Sequence, residues 1–248
     1  MRSAPPVILY TSRPGPISDD LGAAGFDVES RRVIATSVIP GAPERVLDAL
    51  TDFAHTPAPA GVWLGLTAIT GAQLLTPVGP RLRQLGVPVA SCGPSTSAAA
   101  RELGLEVGLE AAQPSSARTL AEAFSTIATT QGRASIVLAI SAASDSWLTD
   151  TLAAQGHDVH RIDLYTTEPD DCVLDDMETR WGDYAAVIAT SPSSVAALAS
   201  RFEIIPDRAW VALGRKTAAR VAEYHNEYRV CPSTAPESVV ETVKGALT

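Results

Sequence analysis

The sequence contains an internal duplication, in which similar segments recur about 120 to 130 residues apart. Each copy reads as a short apolar strand, a loop rich in small residues and an amphipathic helix. Gly25 and Gly156 stand where a helix should end before the next strand. The paired segments are 7–33 with 136–164, 62–75 with 186–199, 87–104 with 209–225, and 114–124 with 234–247. The duplication therefore predicts two similar α/β lobes.

The alternation of strands and helices predicts mostly parallel sheets with helices on both faces. The segments IVLAI, AAVIAT and WVALG are continuous apolar runs, as strands buried on both faces should be. Ligands of open parallel sheets bind beyond the carboxyl ends of the strands. A cleft between two such lobes is the expected site, and the loops LTAIT, SCGPST, TSPSS and LGRKT fall at that strand-to-helix edge.

Composition excludes several classes of protein. A formal charge of -9 lacks the basic footprint of a nucleic-acid binder. The three cysteines form no C-x-x-C pair, so neither a zinc site nor a disulfide framework is indicated, and we expect reduced thiols in the cytoplasm. No apolar run approaches the ~18 residues of a membrane span. The sequence predicts a soluble cytoplasmic protein with no membrane partner.

The segment ATSPSS at 189–194 allows two interpretations. Ser191 or Ser193 should cap the following helix, and Pro192 suits its first turn. The same helix start offers unpaired N–H groups and a partial positive charge, which suit an anion. Capping alone is the simpler explanation of any one loop, whereas four such loops along one edge favour a shared ligand site.

Two glycine loops have related spacing. GRKT places Gly214, where backbone can approach closely, three residues before Thr217 at a helix start, and CGPST does the same with Thr96. The phosphate-loop spacing, the dinucleotide fingerprint and the G-x-S-x-G elbow are all absent. His157 and His160 should face opposite ways in a strand, which argues against a metal site.

The sequence predicts a site whose functional groups are mainly hydroxyls and backbone amides. The acidic stretch 168–184 reads as a solvated helix between the lobes. Without a metal cluster, a nucleophile triad or a nucleotide motif, the site suits an enzyme that positions a flexible polyanion and relies on the substrate's own reactivity.

The chain resembles the uroporphyrinogen-III synthase family. AVIATSPSSVAAL, VALGRKTAARVAEY and CPSTAPESVVETV are similar to the C-terminal half of its members, and VILYTSRPG, VASCGPSTSAAARELGLEV and GHDVHRIDLYTTEP are similar to the rest. The resemblance implies two flavodoxin-like lobes with a two-stranded connector, here 1–37 plus 168–248 and 38–167. It also implies a monomeric lyase of porphyrin and heme biosynthesis that uses no cofactor. Such an enzyme cyclises hydroxymethylbilane, a linear tetrapyrrole, to uroporphyrinogen III with inversion of ring D and loss of water.

The resemblance also implies site residues. Tyr165 in DLYTTEP matches the family's tyrosine, a candidate general acid, although an aromatic packed at a lobe hinge is an equal alternative. Arg13 and Lys216 are candidate partners of substrate carboxylates, with surface solvation as the alternative. The loops and the resemblance together predict the substrate-binding residues Arg13, Thr96, Thr190, Ser191, Pro192, Ser193, Gly214, Lys216 and Thr217.

The sequence departs from the family pattern at three places: Ser12 in TSRP, Ala68 in place of a hydroxyl in LTAITG, and the loop 141–147, which lacks the usual Gly and Arg. We therefore expect the C-terminal lobe to carry more of the substrate contact. The rival hypothesis is a non-catalytic module that binds a tetrapyrrole or another anionic metabolite. A sugar- or nucleotide-binding protein of similar architecture ranks last, because it rests on fold analogy alone.

Overall fold

The computed structural model describes residues 4–55, 58–113, 115–203 and 208–248. The chain divides into two compact units. Unit 1 consists of Met1–Ala35 and Thr167–Thr248, and unit 2 of Thr36–Thr166. The boundaries that the resemblance implies lie no more than two residues from these.

Unit 1 is built on a five-stranded sheet with the order β2-β1-β9-β10-β11, in which each neighbouring pair is parallel. Its strands are β1 (Val7–Tyr10), β2 (Asp27–Ser30), β9 (Tyr184–Ala189), β10 (Ala209–Ala212) and β11 (Arg229–Val230). Its helices are α1 (Pro16–Ala23), α8 (Asp171–Met177), a 3-10 helix (Glu178–Asp183), α9 (Pro192–Arg201), α10 (Arg215–Val221) and α11 (Pro236–Ala246).

Unit 2 is built on a six-stranded sheet with the order β3-β8-β7-β4-β5-β6. Its strands are β3 (Ile34–Val38), β4 (Val62–Leu66), β5 (Val89–Ser91), β6 (Val107–Glu110), β7 (Ser135–Ser141) and β8 (Asp158–Pro169). Its helices are α2 (Ala42–His55), α3 (Ile69–Leu74), a 3-10 helix (Thr76–Val78), α4 (Gly79–Leu85), α5 (Pro94–Glu102), α6 (Ala117–Gln131) and α7 (Trp147–Ala154).

The two sheets repeat one topology. In unit 1 the pair β1–β2 lies beside β9, β10 and β11, and in unit 2 the pair β7–β8 lies beside β4, β5 and β6 in the same order. The strands that correspond are those of the duplicated segments. The prediction of two α/β lobes with mostly parallel sheets is therefore confirmed, and the duplication is one of topology as well as of sequence.

Both faces of each sheet are covered. In unit 1 Leu9 and Val187 pack on one face with α8 and α9, while Ile8 and Ile188 pack on the other with α1 and α11. In unit 2 Val137 packs towards α2, α3, α4 and α5, and the other face packs against α6 and α7. This double coverage explains the continuous apolar runs, because both sides of every central strand are removed from water.

The acidic stretch 168–184 is part of unit 1, so its prediction as a solvated helix between the lobes is wrong. Leu174, Met177 and Trp181 bury one face of α8 and the 3-10 helix in the core. The carboxylates lie on the exposed side, where Asp175 pairs with Arg201. The charge run concealed an apolar spacing of three to four residues, which is the period of one helix face.

Local backbone features follow the sequence. Gly25 has φ +95° and Gly156 has φ +89°, so both helix ends use the left-handed conformation that glycine adopts without strain.

All three cysteines are free; Cys92 and Cys231 are buried, and Cys172 is exposed. Among the described residues, no helix is both long and apolar enough to cross a bilayer.

Candidate active site

The carboxyl edge of the unit 1 sheet gathers most of the predicted site residues. Because β1, β9 and β10 are parallel neighbours, the loops that follow them meet at one edge. The chain order reverses between β1 and β9, which is the topological switch point where ligands of such sheets bind. The predicted residues at this edge are Arg13, Thr190, Ser191, Pro192, Ser193, Gly214, Lys216 and Thr217.

Ser191 is the N-cap of α9, which decides between the two predicted caps. Its Oγ accepts from the Ser194 N–H at 3.1 Å, and the Ser191 N–H donates to Ser194 Oγ at 3.2 Å. Pro192 occupies the first helical turn, where its missing N–H costs nothing. Ser193 Oγ lies 3.0 Å from Ser191 Oγ and so shares a hydrogen with it.

A hydroxyl network joins the two strand ends at the switch point. The Thr190 N–H donates to Thr11 Oγ1 at 3.0 Å, and Thr190 Oγ1 donates back to the Thr11 carbonyl at 3.0 Å. Thr11 Oγ1 lies 3.2 Å from Ser194 Oγ. Both Thr11 and Ser194 are buried, at 2% and 0% exposure. Sequence reasoning missed both residues, although each lies within three residues of a predicted strand or cap.

The network leaves few donors for a ligand. The amides of Thr190, Ser191 and Ser194 are bound to side-chain oxygens of the network, and Pro192 has no N–H. Ser193 is the residue of this turn whose N–H has no acceptor among the described residues. The turn can therefore offer a carboxylate one amide and the remaining hydrogen of the Ser191–Ser193 hydroxyl pair.

In the loop between β10 and α10, fewer hydrogen-bond donors are bound to protein acceptors than in the Thr190–Ser194 turn. Thr217 is only 4% exposed, yet its hydroxyl bonds to no other described residue. The N–H groups of Arg215, Lys216 and Thr217 also have no described backbone acceptor. This loop thus holds a hydroxyl on a largely buried side chain and adjacent amides that make no hydrogen bond within the described protein.

Gly214 lies beside open space. A Cβ at this position would meet nothing within 4 Å, so no close approach of protein backbone requires glycine there. The matching glycine of unit 2, Gly93, is crowded by protein instead, since a Cβ there would collide with the side chain of Ser115. The two loops share their spacing but differ in what crowds them.

Arg13 and Lys216 are both exposed. Arg13 lies three residues beyond the end of β1, and Lys216 is the second residue of α10. Neither forms a salt bridge with another residue in the described parts of the chain. Both cations are therefore unneutralised near the carboxyl edge of the sheet.

Unit 2 carries the other two predicted site residues, Thr96 and Tyr165. Thr96 occupies the third position of α5, as Thr217 does in α10. It is 5% exposed and, like Thr217, its hydroxyl bonds to no other described residue. In the same segment, Ser91 Oγ and Ser97 Oγ form a buried hydrogen bond of 2.6 Å that ties β5 to α5.

Tyr165 lies within β8, opposite Ser141 at the carboxyl end of β7. Its side chain is 7% exposed and packs in the core of unit 2 with Leu66 and Leu164. Burial raises the pKa of its phenol, so the hydroxyl stays protonated at neutral pH. The phenol therefore carries a proton, as a general acid requires, while its ring also serves the core.

The apolar departure at Ala68 has a structural consequence. Ala68 is the N-cap of α3 and supplies no side-chain hydrogen bond, whereas Ser191 at the same place in unit 1 does. A Cβ at Gly71 would lie 3.3 Å from the Ala139 carbonyl. At the switch point of unit 2, small residues thus stand where unit 1 has hydroxyls.

The loop 141–147 is organised by Arg161, which sequence reasoning missed. Its Nη2 donates to the Ser144 carbonyl at 2.9 Å and its Nη1 to the Asp145 carbonyl at 3.1 Å. Asp163 accepts from Arg161 Nε at 2.8 Å and fixes the guanidinium. The arginine comes from the neighbouring strand β8, so the loop is held without the glycines and arginines of the family pattern.

Side chains able to bind a metal ion do not cluster in the part of the chain that the structure describes, where no group of three or more His, Cys, Asp or Glu residues could hold one. Hydroxyls and amides are the chemical groups that this edge offers.

Comparison with known proteins identifies the family. A family model described as uroporphyrinogen-III synthase HemD matches residues 63–241. The chain belongs to the uroporphyrinogen-III synthase family. Uroporphyrinogen-III synthases are lyases of porphyrin biosynthesis, so the match confirms the resemblance and the activity that the sequence predicted. No protein in the curated sequence set matches this chain.

Solved structures of uroporphyrinogen-III synthases share the fold. A mutant of the Thermus thermophilus enzyme is 20% identical, with a TM-score of 0.63 over 97% of this chain and 98% of that chain. The Helicobacter pylori enzyme is 14% identical, with a TM-score of 0.68 over 97% of this chain and 99% of that chain. The two-lobed fold is therefore that of this family, even though the sequences have diverged widely.

Proposed function

We propose that this protein converts hydroxymethylbilane into uroporphyrinogen III, with inversion of ring D and loss of water. The match to the uroporphyrinogen-III synthase family carries the proposal. The carboxyl edge of unit 1 supports it, because hydroxyls, unpaired amides and two unneutralised cations suit a substrate with several carboxylates.

The proposed binding groups divide by position. Thr217 and the amides of 215–217 hold one carboxylate, since these donors have no other described acceptor. The Ser193 amide and the Ser191–Ser193 hydroxyl pair hold a second. Arg13 and Lys216 add long-range attraction, which is screened by salt because both are exposed. Thr96 contributes the corresponding hydroxyl from unit 2.

Tyr165 is the proposed general acid. Its O–H gives a proton to the leaving hydroxyl of the substrate, the C–O bond breaks and water departs. The resulting azafulvene is attacked by the substituted carbon of ring D to give a spiro intermediate. Fragmentation and reclosure at the other ring D carbon invert the ring, and loss of a carbon-bound proton restores the pyrrole and balances the proton that Tyr165 gave, so that water is the net product. No oxidation state changes, so the proposal includes no cofactor.

The protein's main contribution is to fold the substrate so that the substituted carbon reacts. Spontaneous closure of a free chain joins the unsubstituted carbon and gives the type I isomer. Binding both ends of the linear substrate brings the substituted carbon of ring D close to the azafulvene carbon. Such positioning can lower the activation barrier by several kcal/mol. Fixed donors at strand ends are suited to this task because they lose little freedom on binding.

The deciding experiment is an isomer assay. Freshly made hydroxymethylbilane is incubated with the protein, and the products are oxidised and separated as porphyrin isomers. We expect the type III isomer at a rate above the background. Exclusive type I product at the uncatalysed rate would overturn the proposal, and ligand-dependent thermal stabilisation without turnover would indicate a binding module instead.

We also propose that the protein acts as a cytoplasmic monomer with no nucleic-acid partner. The charge of -9 and the three free thiols support this assignment. Light scattering during size-exclusion chromatography should return a mass near 25.9 kDa. A mass of twice that value or more would contradict the monomer.

A further inference from the structure

The buried pair Thr11 and Ser194 stands out because it links strand ends that are far apart in the chain. Thr11 follows β1 and Ser194 lies in the first turn of α9, a separation of 183 residues. Thr11 Oγ1 donates to the Ile188 carbonyl at 3.0 Å and accepts from the Thr190 N–H at 3.0 Å. Ser194 Oγ donates to the Ser191 carbonyl at 2.7 Å. The two hydroxyls thereby fix both sides of the turn that holds Thr190 to Ser193.

The fixation decides which groups of the turn remain available. With the amides of Thr190 and Ser191 bound to Thr11 and Ser194, the Ser193 N–H is the amide left for a ligand. If either hydroxyl were lost, one of these amides would lose its acceptor, and the turn could relax towards a different set of donors. The network therefore controls the geometry of the donors without contacting the ligand itself.

The twin unit shows that the fold alone does not need this network. The N-cap of α3 is Ala68, so Gly71 corresponds to Ser194, three residues after the cap. In unit 2 Gly65, three residues before the cap, pairs with Leu138; in unit 1 Ile188, three residues before its cap, pairs with Tyr10. The residues that follow Leu138 and Tyr10, which are Ala139 and Thr11, therefore correspond. The same strand-turn-helix is therefore built in unit 2 with no hydroxyl at either place.

We propose that Thr11 and Ser194 are positioning residues that hold the Thr190–Ser193 turn in the arrangement that receives a substrate carboxylate. The inference rests on the proposed function, and it assigns roles to two residues outside the predicted site. Since unit 2 folds the same turn from small residues, the buried hydroxyls of unit 1 serve the ligand rather than the fold.

The test compares steady-state kinetics of Thr11→Val, Ser194→Ala and the double variant with the parent. We expect KM to rise about tenfold in each single variant, the factor for one lost net hydrogen bond, while kcat changes by less than about threefold. Because the two oxygens are 3.2 Å apart, the double variant should lose less than the product of the single effects. Thr11→Ser keeps the hydroxyl and should recover most of the loss.

A matched control is Thr51→Val, which removes a hydroxyl that donates to the Leu47 carbonyl at 2.8 Å within α2, and it should keep the parental KM. A purely structural role for Thr11 predicts a lower melting temperature at an unchanged KM, and that result overturns the inference. If Thr11→Val does not fold, Ser194→Ala decides by the same KM criterion. A parent that makes only the type I isomer refutes the proposed function instead, so the two failures are distinguishable.

Discussion

Replacing Thr217 by valine should separate binding from stability, because the hydroxyl of Thr217 has no described protein partner. The side chain is 4% exposed, and valine has nearly the same shape. The hydroxyl oxygen is not among the fully buried, unpaired side-chain atoms of the described residues, so it can bond to water, and replacing it by a methyl group removes no hydrogen bond within the described protein. We therefore expect the free energy of unfolding to change by less than about 1 kcal/mol.

The same change should impair catalysis. A hydrogen bond to a charged group contributes about 1.5–3 kcal/mol, so kcat/KM for hydroxymethylbilane should fall about 10- to 100-fold. The assay combines urea unfolding of the free protein with initial rates of type III formation. Thr51→Val serves as the control, since it removes a hydroxyl with a protein partner and should keep its kcat/KM.

Two results would refute this reasoning. If Thr217→Val lowers stability by more than about 1 kcal/mol, the hydroxyl has a structural partner. If kcat/KM is unchanged, Thr217 does not contact the substrate, and its burial reflects packing of α10 against the sheet.

Three further outcomes are expected. Tyr165→Phe keeps the buried ring and should lower kcat by about 100-fold or more at an unchanged melting temperature, whereas parental kcat would leave Tyr165 with a packing role. His157 accepts from the Ala134 N–H and bonds through Nε2 to the Phe124 carbonyl, and burial lowers its pKa. The contribution of neutral His157 to stability is therefore complete above about pH 6.5 and should be lost as the pH falls through the lowered pKa of the folded state. In urea unfolding from pH 8 to 5, the free energy of unfolding should decline less steeply in His157→Gln than in the parent. Ala68→Ser adds a capping hydroxyl at extended backbone, φ -150° and ψ 153°, and should raise the free energy of unfolding by about 1 kcal/mol, while an unchanged urea midpoint would show that no cap forms.

Much of the fold could be predicted because its signals are local. Gly25 and Gly156 mark helix ends through the conformations that glycine alone adopts easily, and Ser191 marks a helix start through its own cap. The duplicated segments then fix the order of strands and helices in both units. These features depend on residues a few positions apart, so the sequence displays them directly.

The features that the sequence did not show depend on longer-range packing. The charges of the stretch 168–184 predict a solvated helix, but Leu174, Met177 and Trp181 bury its other face against strands distant in sequence. Gly214 matches the spacing of Gly93, yet only Gly93 is crowded, because Ser115 comes from a separate loop. Neighbours of this kind are set by the tertiary structure alone.

The sequence by itself determined the two-lobed α/β fold, the family and the loops that form the carboxyl edge. The tertiary structure decided which donors those loops can offer. It joins Thr11 to Ser194 across 183 residues and thereby occupies the amides of Thr190 and Ser191, while it leaves Thr217 without a described partner. The sequence of a hydroxyl loop does not show which of its donors are already bonded, because a hydrogen bond depends on where the partner lies in space. In this fold, parallel strands bring that partner from the far end of the chain.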